Sequence, residues 1–214
     1  MKKITFTSPH RKKHFDFFNG MSHPHFQLTA NVDVTYFLSI IKANKLPLNQ
    51  SIVYLLSHTA NTLPEFRWRI RDNKIVEHPT VQPSYTIPVA NEDVFSFCTV
   101  PYHPDYTTFL KRAEEVQQQM IANPSFEDEV GRDDYLFMSA IPWISFTSMQ
   151  HAMNYHPHDS VPRISWGKIF EQNDKMLMPL SVQAHHALVD GSHMGKFFTM
   201  FDEFLNNFNI TSNF

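Results

Sequence analysis

Apolar and polar residues alternate along FQLTANVDVT (26–35), as the two faces of a strand require. The period then lengthens. TYFLSIIKANK (35–45) predicts a short helix, and NQSIVYLLSHTANTL (49–63) an amphipathic helix stopped before Pro64. FRWRIRDNKIVEH (66–78) predicts a hairpin turning at Asp72-Asn73, and SYTIPVANEDVFSFCTV (84–100) a second hairpin. DYTTFLKRAEEVQQQMIAN (105–123) has helical spacing with polar faces, and DDYLFMSAIPWISFTSM (133–149) is a strand region broken by Pro142. RISWGKIFEQNDKMLMPLSVQAHHALV (163–189) reads as two strands joined by a polar turn at Gln172-Asn173-Asp174. After Asp190-Gly191, Met194, Phe197, Phe198, Phe201, Phe204, Leu205 and Phe208 recur at helical spacing. The pattern predicts an α/β (α+β) protein: a large mixed, mostly antiparallel sheet covered by helices.

Composition narrows the class. At 214 residues, 42% hydrophobic and 18% charged, the chain can bury a substantial core, and one domain over 1–214 is expected. With only 5 glycines, no flexible linker divides it. A formal net charge of -3 gives no general attraction to nucleic acid or anionic lipid. No apolar run reaches membrane-spanning length, and MKKITFTSPHRKKHF has no apolar stretch of the kind a secretion signal carries. The single cysteine, Cys98, lies in an alternating apolar stretch, which fits a buried structural thiol and a reducing, cytoplasmic setting.

The densest chemistry is SVQAHHALVDGSHMGKFF (181–198). His185, His186, Asp190 and His193 are all metal-ligand types. Adjacent strand residues point to opposite faces, however, so His185 and His186 cannot easily share an ion, and no metal site is expected. A structural reading has Asp190 or Ser192 capping the last helix and Gly191 permitting the turn. A catalytic reading needs one histidine only: at the end of a buried strand it can take a proton from a hydroxyl nucleophile at neutral pH.

QAHHALVDGSHMGKF resembles the His-His-x-x-x-Asp-Gly signature of the trimeric chloramphenicol O-acetyltransferases, whose shorter form is shared by the CoA-dependent acyltransferase superfamily, dihydrolipoyl acyltransferases included. HRKKHFDFF (10–18), FQLTANVDVT, LPEFRWRIRDNKIVEHPTVQPSYT (63–86), SAIPWISFTSM (139–149) and GKIFEQNDKMLMPLSVQAHHALVDG resemble further family segments, in order, from about residue 4 to 208. No lipoyl domain or Pro/Ala-rich linker precedes them, which disfavours the dihydrolipoyl branch.

The resemblance implies a CoA-dependent acyltransferase fold and acetyl transfer to chloramphenicol, an antibiotic inactivation. His186 falls on the general base, which would let the acceptor hydroxyl attack acetyl-CoA directly in a ternary complex. Acetyl-CoA would be a co-substrate, with no resident cofactor and no role for Cys98. Ser148 falls on the serine that donates to the oxyanion. Asp190 and Arg11 fall on a structural ion pair, in which removing either member strands the other. His185 and His193 are expected to be structural. Lys168 matches a position close to CoA. Phe18, Phe26, Phe95, His156 and Ser165 fall on acceptor-pocket positions, Ser165 on a small hydroxyl residue that holds a water. Family members are homotrimers with the site between subunits.

Some positions depart from the pattern. Phe18 stands where tyrosine is common. MQHAMNYHPHDSVPR (149–163) replaces a more apolar stretch and brings His151, His156 and His158, while MSHPHF adds His23 and His25. Two alternatives follow: a same-fold acyltransferase with a different hydroxyl acceptor, and a non-catalytic metal- or ligand-binding protein built on the histidine-rich loops.

Overall fold

In chain order the elements are β1 (Lys2–Ile4), α1 (Pro9–Asn19), β2 (His25–Asp33), α2 (Thr35–Ala43), α3 (Leu48–Thr62), a 3-10 turn (Pro64–Arg67), β3 (Trp68–Arg71), β4 (Lys74–Glu77), β5 (Gln82–Pro88) and β6 (Phe95–Thr99). They continue as α4 (Tyr106–Ala122), β7 (Tyr135–Ile141), β8 (Arg163–Gly167), β9 (Phe170–Gln172), β10 (Lys175–His185) and α5 (Gly191–Asn206). These come from a computed structural model describing residues 1–126, 129–154 and 159–210.

Local chemistry sets several boundaries. Asp105 caps α4 by accepting from the Thr108 amide at 2.7 Å, and Ser8 caps α1 by accepting from the Arg11 amide at 3.3 Å, with Pro9 in the first turn. Asp72 (φ 48°) and Asn73 (φ 56°) close the β3–β4 hairpin, and Asn173 (φ 52°) and Asp174 (φ 60°) close β9–β10. Two left-handed central residues match the right-handed twist of the paired strands, and Asn and Asp tolerate that region best.

β1, β4 and β3 form a small antiparallel sheet. The large sheet runs β2-β10-β8-β7-β5-β6, with β9 also on β10. The β5–β7 and β7–β8 pairs are parallel and the rest antiparallel, so the sheet is mixed and mostly antiparallel, as the pattern predicted. One expectation is corrected. The segment 163–172 is two strands, not one: the Lys168 amide donates to Ile144 O (2.8 Å), and Ser145 Oγ to Lys168 O (2.7 Å), so the returning 142–148 segment takes the backbone that would have continued β8. Gly167 permits that crossing, because a Cβ there would lie 2.9 Å from Ile144 O.

The two faces of the large sheet differ. A register row of Val182, Ile164, Met138, Tyr85 and Cys98 belongs to the helix-covered core, where Phe37, Ile52, Leu55, Phe109, Phe197 and Phe201 are fully buried or nearly so. On the other face Thr29, Ser181, Ser165 and Ser139 pair across β2, β10, β8 and β7, and Thr86 Oγ1 lies 3.4 Å from Ser139 Oγ. A row of hydroxyls therefore crosses the sheet opposite the apolar core. Residues 149–153 lie against it: Ser181 Oγ donates to Met149 O (3.2 Å) and His151 Nε2 is 2.8 Å from Ser165 Oγ. Among the described residues, no helix is long and apolar enough to cross a membrane.

Candidate active site

β10 ends at His185, and the next residues turn back: the Leu188 and Val189 amides both donate to His185 O at 3.0 Å. This bend delivers Asp190 as the N-cap of α5. Gly191 is not what permits it, contrary to the sequence expectation. Among described glycines only Gly131 has a positive φ, and a side chain at Gly191 would meet nothing within 4 Å.

His186 leaves the strand end with its amide donating to Pro24 O at 2.8 Å. Phe18 of α1 stacks on its ring with centroids 3.8 Å apart and planes 12° apart, and Phe26 of β2 stacks at 4.2 Å and 28°. Two rings this close cannot share one face of an imidazole, so His186 is held between them. Its Nδ1 is buried and lies 3.8 Å from Asp190 Oδ1, while the side chain as a whole keeps 24% exposure. The Nε2 edge is therefore the reachable one.

The structure adds a residue for which the sequence suggested no role. His14 lies edge-on to His186 with centroids 5.6 Å apart, and its Nε2 is 3.7 Å from the same Asp190 oxygen. Arg11, three residues earlier on α1, places Nη1 2.6 Å from His14 Nδ1. That i, i+3 spacing in HRKKH was a legible signal that the two share a helix face. Burial first, then the Arg11 charge, push the His14 imidazole below its ordinary pKa, outweighing Asp190. Burial works against the Asp190 carboxylate, but the Gly191 amide and the imidazoles of His14, His186 and His193 hold its pKa below the usual value.

The expected Arg11–Asp190 ion pair is corrected. No contact between the two is made within 4.0 Å; the second arm of the guanidinium, Nη2, donates to Leu188 O at 2.6 Å. The physical reason is that the inward turn at 186–189 presents a carbonyl that needs a donor, and His14 stands between Arg11 and the carboxylate. Burial lowers the Arg11 pKa, with Asp190 and Glu65 opposing.

His185 is 1% exposed, stacks edge-on with His25 at 4.9 Å and accepts from the Ala187 amide at 3.3 Å. His193 Nδ1 accepts from the Asp190 amide at 2.9 Å and its Nε2 is 3.5 Å from Glu65 Oε1, tying the helix start to the 3-10 turn.

The other expected site residues are not gathered around His186 within one chain. Ser148 is exposed and lies in irregular chain beyond β7, which ends at Ile141, rather than on a strand; Gln27 Nε2 donates to its Oγ at 3.1 Å. Side chains of neighbouring strand residues point to opposite faces. Phe26 covers His186 and Gln27 holds Ser148, so the two candidates attach to opposite faces of β2. Ser165 is fully buried on the hydroxyl face against His151. Phe95 of β6, at the edge of the sheet opposite β2, packs with Phe97 of the same strand and with Phe126 from the chain after α4. Lys168 is exposed at the β8–β9 break. His156 and His158 lie outside the described residues. His25 Nε2 is 2.5 Å from Asp159 O.

Among the described residues, the only group of three His, Cys, Asp or Glu side chains close enough for a metal is His14, His186 and Asp190, not the set of His185, His186, Asp190 and His193 weighed from sequence. It does not fit one. Arginine only donates, so His14 Nδ1 must accept, and the neutral ring then carries its proton on Nε2, the atom a metal would need.

Residues 1–202 match the family model described as chloramphenicol acetyltransferase. The chain is 33% identical over 191 residues to a chloramphenicol acetyltransferase of Escherichia coli, covering 87% of this chain and 85% of that one. It is 33% identical over 186 residues to one of Proteus mirabilis, with 87% and 86% covered. Among solved structures, a chloramphenicol acetyltransferase aligns with a TM-score of 0.82 at 24% identity, covering 95% of this chain and 100% of that one. The dihydrolipoamide acetyltransferase of Azotobacter vinelandii aligns at 0.69 and 13% identity, covering 97% and 92%, which is a likeness of fold.

Proposed function

The chain belongs to the chloramphenicol acetyltransferase family, and on that premise we propose that it transfers acetyl from acetyl-CoA to a hydroxyl of chloramphenicol, with His186 as general base. The observation that carries the reading is the held imidazole, stacked between Phe18 and Phe26 with Nδ1 buried and the Nε2 edge reachable.

In the proposed reaction Nε2 takes the acceptor's hydroxyl proton as its oxygen attacks the thioester carbonyl in a ternary complex. Ser148 Oγ donates to the oxyanion, a bond that strengthens as charge develops. Collapse expels the CoA thiolate, which takes the proton from the imidazolium. Acetyl-CoA is a substrate here and no resident cofactor is required.

A second copy of the chain supplies the other half of the site in this reading. His186 and Ser148 attach to opposite faces of β2, so a single chain does not present them to one substrate; a homotrimer would bring His186 to the hydroxyl face of a neighbour. Ser165 lies on that face, with Phe95 at its far edge; Phe18 and Phe26 stay with His186, and Lys168 is the residue assigned to CoA in this reading. Residues 1–214 act as one domain: β1 at the start pairs with β4, and α5 near the end packs on α3 and β2. A cytoplasmic setting fits the free, buried Cys98.

The test is thiol release from acetyl-CoA. Release should depend on chloramphenicol and disappear in His186→Ala. No release with chloramphenicol, but release with another alcohol, would replace this acceptor with a different one.

A further inference from the structure

Resting on the reading of His186 as base, we propose that His14 is a positioning residue for His186, held by Arg11 in the tautomer that directs Nε2–H at Asp190, so that the carboxylate and the His14 ring edge fix His186 with Nδ1 inward and Nε2 free. Arg11 Nη1 lies 2.6 Å from His14 Nδ1, and a guanidinium has donors only, so that nitrogen accepts and the proton of the neutral ring sits on Nε2. His14 Nε2 is buried, with Asp190 Oδ1 at 3.7 Å as the acid in front of it. His186 Nδ1 is buried and faces the same oxygen at 3.8 Å. These separations are beyond direct hydrogen-bond length, so the carboxylate acts as a charge that favours an N–H on both rings. A proton on Nδ1 leaves the Nε2 lone pair of His186 for the substrate, the state a general base requires.

The ring edge of His14, 5.6 Å from His186 and 4.7 Å from Phe18, completes the enclosure. Stacking alone restrains tilt; it does not choose between two ring orientations that exchange the nitrogens. That choice falls to the charge and donors at the Nδ1 side: Asp190, His14 and, through His14, Arg11.

Two measurements test this. Long-range 1H–15N spectra of the histidine-labelled protein at pH 8 should show His14 protonated on Nε2 and His186 on Nδ1; the reverse tautomer for His14 overturns the proposal whatever the activity. Steady-state kinetics then separate donation from packing. His14→Leu should lower kcat roughly 10- to 100-fold, with KM for acetyl-CoA little changed, because orientation rather than binding is lost. His14→Gln, whose Nε2–H replaces the ring donor, should recover most of that loss. Equal activity of the Leu and Gln variants would reduce His14 to packing and overturn the proposal. The base assignment fails separately, through an active His186→Ala.

Discussion

Phe18 lies on His186 nearly parallel, 3.8 Å between ring centroids and 12° between planes, although α1 and the end of β10 are some 170 residues apart in the chain. This ring stands where tyrosine is common in the family, yet its contact with His186 uses the ring face. Replacing Phe18 with Tyr should therefore leave kcat within a few-fold. Phe18→Ala frees the imidazole to tilt and should cost roughly 10- to 100-fold in kcat, the scale of small misplacements at a reacting group. Equal rates for Phe18→Ala and wild type would show that the stack does not orient His186.

The separation of His186 and Ser148 on β2 gives a complementation test. Ser148→Ala should lower turnover about 100- to 1000-fold, and His186→Ala should abolish it. Unfolding and refolding the two variants together should restore activity, because some mixed interfaces pair an intact His186 with an intact Ser148. A mixture as inactive as its parents would place both groups in one subunit's site.

Arg11 and Asp190 are close but do not pair, so their losses should be unequal. Arg11→Met leaves Leu188 O and His14 Nδ1 without their donor and should cost about 1–3 kcal/mol of stability. Asp190 is 46% exposed, and Asp190→Asn should cost under about 1 kcal/mol. Denaturant titration of both single variants and the double variant checks this. Losses of about 3–5 kcal/mol in each single variant, with no further loss in the double, would mark a true buried ion pair.

His151 is a half-buried imidazole near Ser165, its pKa pulled from 6.5 to about 4, by desolvation first and the Arg163 charge second. The unfolded chain thus binds a proton that the folded chain refuses between those values. The contribution is fully present above pH 6.5 and is lost as pH falls toward 4, of order 3 kcal/mol in total. The variant His151→Gln should have a shallower fall in stability over that interval than wild type, while differing little at pH 7. Parallel pH curves for the two proteins would rule out His151 as a contributor.

Much of the fold was legible because it rests on local signals. Asp72-Asn73 and Asn173-Asp174 marked their hairpins because few residues accept two successive left-handed conformations. The spacing of Met194, Phe197 and Phe201 defined the buried face of α5. The split of β8 from β9 was not legible. It depends on a backbone crossing from Ile144 and Ser145, residues that say nothing about position 167 until the chain has returned to it.

At the site, sequence alone determined the chemical inventory: a histidine at the end of a buried strand, an aspartate opening a helix, and the order of the family's segments. Alternation also separated His185 from His186 without any coordinates. Only the tertiary structure decided the partners. It placed Phe18 and Phe26 on the two sides of His186, put His14 beside Asp190, gave Arg11 to a carbonyl rather than to the carboxylate, and set Ser148 across the strand from His186. The reason is physical: periodicity fixes the direction of a side chain relative to its own element, whereas the atom it meets depends on how elements distant in the chain pack around one core.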